Sequence, residues 1–243
     1  MKNEWIFGRE RELEALRLRL CERKPFLLHG PPGVGKTLLL RRVLAEFQDA
    51  LYCPEAASSQ PMFRNLASAL VSANDPYLLQ TLGRSAEKAL AGKSAVSIKG
   101  LVMNALRAKP YSIVLDHLKR PSHAFAATVR EILGWGNTPV VAVAHSAHME
   151  DAGFLLPIFP DRQDKLELRN FQPPLAEKFL RLVIGEAGLS AENLSEFVER
   201  VLEVSRGNPR AIVSLVEMAR RPKYVSGDHI RIAPLCIDFR LNW

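Results

Sequence analysis

One octapeptide constrains this chain more than any other part of it. Gly30-Pro31-Pro32-Gly33-Val34-Gly35-Lys36-Thr37 follows the apolar run Pro25-Phe26-Leu27-Leu28-His29 and opens, at Leu38-Leu39-Leu40, a helical pattern reaching about Phe47. A short apolar run bounded by Gly and Pro reads as a buried strand. A strand, a G-x-x-x-x-G-K-[ST] loop and a helix, joined without a gap, make an anion cradle of the P-loop kind. Glycines at 33 and 35 let backbone N–H groups turn inward, a conformation that side chains would block. The helix N-terminus adds partial positive charge. Lys36 is then a point charge for the β- and γ-phosphates of ATP, and the Thr37 hydroxyl a ligand for Mg2+.

The rest of the pattern agrees with an α/β fold. Ala50–Cys53, Tyr111–Leu115, Pro139–Ala144 and Lys165–Leu168 read as further strands. Residues 9–22 read as an amphipathic surface helix, and 59–109 as helix in three pieces, broken near Asn74-Asp75-Pro76 and Ala91-Gly92. Ser122–Leu133 is a helix with Ser122 as its N-cap. Strands alternating with helices imply βαβ units and a parallel sheet covered on both faces. After Pro173-Pro174 come helices at 175–187, 193–205 and 209–220. The expected organisation is an α/β nucleotide-binding domain over 1–172, a helical domain over 173–221 and a tail over 222–243. In that tail Ile230–Ile232 and Leu235–Phe239 read as the arms of a hairpin.

Composition excludes several classes. With 47% apolar and 24% charged residues, the chain is neither a disordered tail nor a fibre. No apolar run approaches the roughly 18 residues that span a bilayer, so no membrane partner is expected. The N-terminus lacks the apolar core of a secretory signal. Cys21, Cys53 and Cys236 form no CxxC and are odd in number, which points to unpaired thiols in the cytoplasm. A net charge of +7 favours polyanionic partners.

A P-loop ATPase needs an acid on a neighbouring strand to hold the Mg2+ shell. Asp116, at the end of Tyr111–Leu115, stands in the Walker-B position. The following position, where many such ATPases carry an acid that polarises the attacking water, holds His117. Its neutral imidazole can accept a proton but brings no negative charge. Either His117 serves, or another carboxylate reaches the water, or hydrolysis is slow. Glu55, just past the second strand, is the substitute carboxylate by its resemblance to RecA-like ATPases, which take a catalytic Glu from a strand end of that kind.

The segment Phe7-Gly8-Arg9-Glu10-Arg11-Glu12-Leu13 resembles the hxGRExEL box that precedes the P-loop in AAA+ ATPases of the origin-recognition branch and in related STAND ATPases. The resemblance implies a three-layer fold with a five-stranded parallel sheet in the order 5-1-4-3-2, and a small helical lid. It implies that Ile6 and Phe7 line the base pocket and that His145, at the end of the fourth strand, is the sensor-1 residue. Arg162, before the fifth strand, is implied as the arginine finger, with Arg120 and Arg130 as rivals. Arg206-Gly207-Asn208-Pro209-Arg210 resembles a sensor-2 segment, with Arg210 turned to the γ-phosphate.

An ATP site completed by a neighbour's arginine implies a nucleotide-controlled homo-oligomer, a ring or a filament. The short segment after Arg220 makes the chain similar to minimal ATPases that regulate DNA transposition. That likeness implies duplex DNA, met by Arg84, Lys88, Lys93, Lys99, Arg107 and Lys109, and a recombinase as protein partner. Two alternatives stay open: a STAND-like signalling or defence module that gates an effector protein, and an ATP-binding subunit with little turnover.

Overall fold

The computed structural model describes residues 6–56, 58–83, 85–136 and 138–243. The chain divides into two compact units. The larger comprises Glu10–Gly30 and Lys36–Leu168. It opens with helix α1 (Glu10–Cys21), strand β1 (Phe26–His29), helix α2 (Lys36–Leu44) and strand β2 (Ala50–Cys53). Four helices follow: α3 (Ser59–Ser72), α4 (Pro76–Leu82), α5 (Ala86–Ala91) and α6 (Ala95–Ala108). The unit ends with β3 (Ser112–Leu115), α7 (His123–Leu133), β4 (Val140–Ala144), the short α8 (Met149–Ala152) and β5 (Lys165–Glu167).

All five strands are parallel in the order β2-β3-β4-β1-β5, the expected order read from the other edge. β3 and β4 are buried at every position, as strands covered on both faces must be. The core beneath them joins Leu27, Leu51, Ile113, Leu115 and Ala142 to Phe63, Leu66 and Leu70 of α3, Val102 and Leu106 of α6, and Phe125 and Val129 of α7. Ser122 caps α7 by accepting the N–H of Phe125 at 3.2 Å. The 59–109 stretch holds four helices rather than three. The additional break falls at Gly83, whose φ of +73° closes α4 in a conformation that L residues avoid.

His29, at the end of β1, gives this unit a pH dependence. Its imidazole is held below the ordinary histidine range, first by burial and then by its neighbours His148, Lys165 and Lys36, with Glu167 opposing. A lowered folded pKa means that the unfolded chain binds the proton first. Stability contributed here is complete above about pH 6.5 and is lost as pH falls below it. The expected result is a melting temperature that declines from pH 7 to 5, with a slope of up to about 1.4 kcal/mol per pH unit from this group. Thermal scans of His29→Gln should show a shallower decline, and an unchanged slope would contradict the assignment.

The smaller unit takes in the described residues before Glu10, the loop apex Pro31–Gly35, and Arg169–Trp243. Its helices are α9 (Pro173–Ala187), α10 (Leu194–Ser205), α11 (Pro209–Ala219) and α12 (Ile232–Asn242), with a two-stranded hairpin of β6 (Val225–Ser226) and β7 (His229–Ile230). Phe179, Leu180, Phe197, Val201, Ile212, Leu215 and Leu235 form its core. The tail therefore differs from expectation. The hairpin turns at Gly227, φ +56°, and Leu235–Phe239 lies in a helix. Ile232, Leu235, Cys236 and Phe239 are buried at a spacing of three and four, the period of one helical face. Pro234 falls in the first turn, where its missing N–H costs nothing. Among the described residues no helix is long and apolar enough to cross a membrane.

Candidate nucleotide site

Parallel strands converge their C-terminal ends on one edge of the sheet, and most of the candidate residues of the larger unit lie there. β1 ends at His29, and the N–H of the next residue, Gly30, donates to the His145 carbonyl at 3.2 Å. On the other side the His29 carbonyl accepts the N–H of Leu168 at 2.7 Å. A Cβ on Gly30 would stand 2.1 Å from the Leu168 carbonyl oxygen, so the chain can leave the sheet here only as glycine. Gly33 and Gly35 take φ values of +77° and +103°, and the position of a Cβ on Gly35 is open space.

Lys36 begins α2 with its side chain buried and its Nζ donating to the Gly30 carbonyl at 2.5 Å. Burial pushes the ammonium down to about 8, while the carboxylates of Asp116 and Asp151 pull it up. The Thr37 hydroxyl donates to Asp116 Oδ2 at 2.8 Å, the Tyr52 hydroxyl to the same oxygen at 2.7 Å, and the His117 N–H to Oδ1 at 2.7 Å. Asp116 is thus a buried carboxylate satisfied on both oxygens. Tyr52 reports the same charge: burial and its bond to Asp116 push the phenol up to about 12.

His117 adopts φ +54°, an uncommon conformation for a residue with a Cβ, and its exposed ring places Nε2 3.8 Å from Asp116 Oδ2. His145, also exposed, is held below the ordinary range by partial burial, then by the charge of Lys36. It is therefore neutral at pH 7 and able to donate or accept a hydrogen bond. Glu55 follows β2 at the same edge. Its backbone carbonyl is held by Asn65 Nδ2 at 3.0 Å, and its side chain is exposed. Leu38 is exposed on the first turn of α2, and Arg162 is exposed at the start of the 3-10 turn before β5. Among the described residues no hydrogen bond or ion pair takes the Arg162 side chain.

In the smaller unit the loop apex is held by the start of α11. Asn208 accepts the N–H of Ala211 at 3.2 Å as N-cap and donates through Nδ2 to the Pro32 carbonyl at 2.8 Å. The Arg210 N–H donates to the Gly33 carbonyl at 3.3 Å. Arg210 is exposed, with its guanidinium 5.7 Å from the Trp243 ring centroid. Phe7 packs against Phe179 with ring centroids 6.2 Å apart, and Ile6 is half-buried. Arg9, of the same box, is buried against Phe171 at 4.4 Å and donates to the Arg169 carbonyl at 2.7 Å. Val34 is buried and Pro31 half-buried.

Three polar residues join these sites without having been marked by sequence: Tyr52, Asn208 and Asp151. Tyr52 alternates with the buried Leu51 and Cys53, so its period was legible but its reach to Asp116 was not. Asn208 lay inside a quoted segment as a helix cap; its second bond to Pro32 spans 176 residues of chain. Of the basic residues considered for DNA, Lys99, Arg107 and Lys109 lie over the rings of Phe63, Trp135 and Tyr111, while Lys88 is exposed. Arg84 lies outside the described residues.

Known structures share this architecture. The Walker-type ATPase of Pyrococcus abyssi superposes with a TM-score of 0.61 at 15% identity, covering 90% of this chain and 69% of that one. Cdc6p from Pyrobaculum aerophilum gives 0.56 at 17%, covering 87% and 61%. The Thermotoga maritima RuvB Holliday junction branch migration motor gives 0.55 at 16%, covering 96% and 67%. The chain thus spans about two thirds of the length of these proteins, and at such identities the likeness is one of fold. No curated protein matches the chain. The AAA ATPase domain family matches residues 6–143, more than half of the sequence. With that match on the same residues that build the phosphate loop and the Asp116 cluster, the chain belongs to the AAA ATPase domain family.

Proposed function

We propose that the chain binds and hydrolyses Mg-ATP and uses the nucleotide to control its own assembly on a polyanion, duplex DNA. The observation that carries the reading is the Lys36–Thr37–Asp116 group. A buried ammonium stands at the head of a helix whose next residue shares a 2.8 Å hydrogen bond with a buried carboxylate. Lys36 and the glycine-rich loop at a helix N-terminus suit the phosphates. The Thr37 hydroxyl and the Asp116 carboxylate are two hard oxygens side by side, the small protein share of a donor set that suits Mg2+. Mg2+ held there would neutralise charge on the phosphates.

Arg210 is proposed as the cation for the γ-phosphate on the resemblance of its segment to a sensor-2 motif. His145 is the neutral polar group that senses it. Arg162, exposed and unpaired among the described residues, is the arginine offered to a neighbouring subunit, where a planar permanent cation suits developing phosphoryl charge. DNA association rests on the net charge of +7 and on the likeness of fold to the Aeropyrum pernix ORC1 protein, solved in complex with DNA at a TM-score of 0.55 and 19% identity. His117 favours one other reading, an ATP-binding subunit with little turnover.

Light-scattering chromatography with ATP, ADP or neither, with and without duplex DNA at two salt concentrations, tests the proposal. The expected result is an ATP-dependent increase in mass that Arg162→Ala reduces, and DNA binding that weakens steeply with salt. A mass indifferent to nucleotide in every condition rejects the assembly switch. Phosphate release separates an ATPase from a subunit that only binds.

A further inference from the structure

We infer that Asp151 is the carboxylate that accepts the proton of the attacking water, the task that His117 leaves without a negative charge; this rests on the ATPase reading above. Three observations place it there. First, β4 lies between β3, which carries Asp116, and β1, which carries the phosphate loop, and Asp151 stands in the short helix just beyond β4. Second, its position is held from two sides. The Ser146 hydroxyl donates to Oδ2 at 2.6 Å, and the Asp151 carbonyl accepts the N–H of Arg120, in the loop that leaves Asp116, at 3.1 Å. The Phe154 N–H donates to the Pro121 carbonyl at 3.1 Å and fastens the same two loops one turn later. Third, Asp151 is half-buried, and among the described residues no hydrogen bond reaches Oδ1, so one oxygen is oriented and the other is left to accept a proton.

Electrostatics agrees with the geometry. Asp151 and Asp116 are the carboxylates whose charge acts on the Lys36 ammonium, and Asp151 acts on His145 as well. Glu55 follows β2, which lies outside β3, away from the loop strand. Its carboxylate is exposed and it is the backbone carbonyl that the structure ties down. A carboxylate fixed between the two loops is the better placed base.

The water oxygen forms a bond to the γ-phosphorus, the bond from that phosphorus to the β–γ bridging oxygen breaks, and its electron pair leaves on ADP. The water proton passes to Asp151 Oδ1 and from there to solvent.

Asp151→Asn keeps an acceptor for Ser146 and removes the charge. ATP affinity by fluorescent-nucleotide titration and single-turnover phosphate release are measured on the full chain. The expected result is a fall of about 100-fold or more in the rate of the chemical step. Affinity should be unchanged or tighter, because a negative charge near the triphosphate has gone. Turnover within threefold of the unmodified chain overturns the inference, and so does a parallel loss of affinity, which marks a structural role. If Asp151→Asn does not fold, Ser146→Ala decides: it frees the carboxylate and should slow the step several-fold at constant affinity, whereas an unchanged rate overturns the inference. An unmodified chain that binds Mg-ATP without turnover rejects Asp151 as base and leaves the binding reading intact. One that binds no ATP rejects the reading itself.

Discussion

Lys36→Ala is expected to weaken ATP binding by about 100-fold or more while leaving the fold intact. The Lys36 side chain has two separable roles, one in the folded chain and one toward phosphate. In the folded chain Nζ donates to the Gly30 carbonyl, but burial drives the ammonium down to about 8, so its charge is carried at a cost. Removing it relinquishes the bond to Gly30 and relieves a desolvated cation, two effects of opposite sign. The melting temperature should move by only a few degrees. Toward a triphosphate the balance differs: a charge-assisted bond to phosphate oxygens in a sheltered loop contributes about 3 kcal/mol, or roughly two orders of magnitude in affinity. Lys36→Arg should not rescue binding, since a planar fork cannot occupy the place of a compact point charge. Calorimetric titration with Mg-ATP checks both variants. A Lys36→Ala chain that binds with unaltered affinity would remove the phosphate loop from the site.

Gly207→Ala is expected to destabilise the smaller unit by more than about 3 kcal/mol, one of the largest effects available to a single methyl group. Gly207 takes φ +72°, and a Cβ there would lie 2.1 Å from the Phe171 carbonyl oxygen. That oxygen belongs to main chain, and the contact is closed by the Phe171 N–H donating to the Gly207 carbonyl at 2.9 Å. Neither strand of backbone can retreat without breaking that bond. Gly188 provides the comparison. It also takes a left-handed φ, +60°, as the C-cap of α9, yet a Cβ there meets nothing within 4 Å. Gly188→Ala should therefore cost only the conformational penalty, about 1 kcal/mol. Urea unfolding of the two variants separates collision from strain, and equal stabilities would show that the backbone at Phe171 yields. The displacement should also reach the loop apex, because the next residue, Asn208, holds the Pro32 carbonyl.

The two expectations differ in how far each was legible in the sequence. The loop, its lysine and its threonine follow from local chain order, because strand, glycines and helix are contiguous and each has a short-range signal. Asp116 was legible almost as directly, from a buried strand that ends in an acid. The parallel sheet and its helices follow from alternating runs, and the core residues fall where those runs place them. The tail helix α12 shows the limit of that method. Its buried spacing of three and four is present in the sequence, but Leu235–Phe239 reads as a hairpin arm until the core of the smaller unit claims one helical face.

What the sequence by itself determined is the set of contiguous devices: the phosphate cradle, the strand that leads to Asp116, and the start of α11 with Pro209 in its first turn. Tertiary structure alone decided which distant groups complete them: Tyr52 on Asp116, Asn208 on Pro32, Asp151 beside the strand that separates the cradle from the acid. The division has a physical cause. Local signals arise from backbone conformation within a few residues, whereas a hydrogen bond across 64 or 176 residues exists only after the order of strands has brought its partners to one edge.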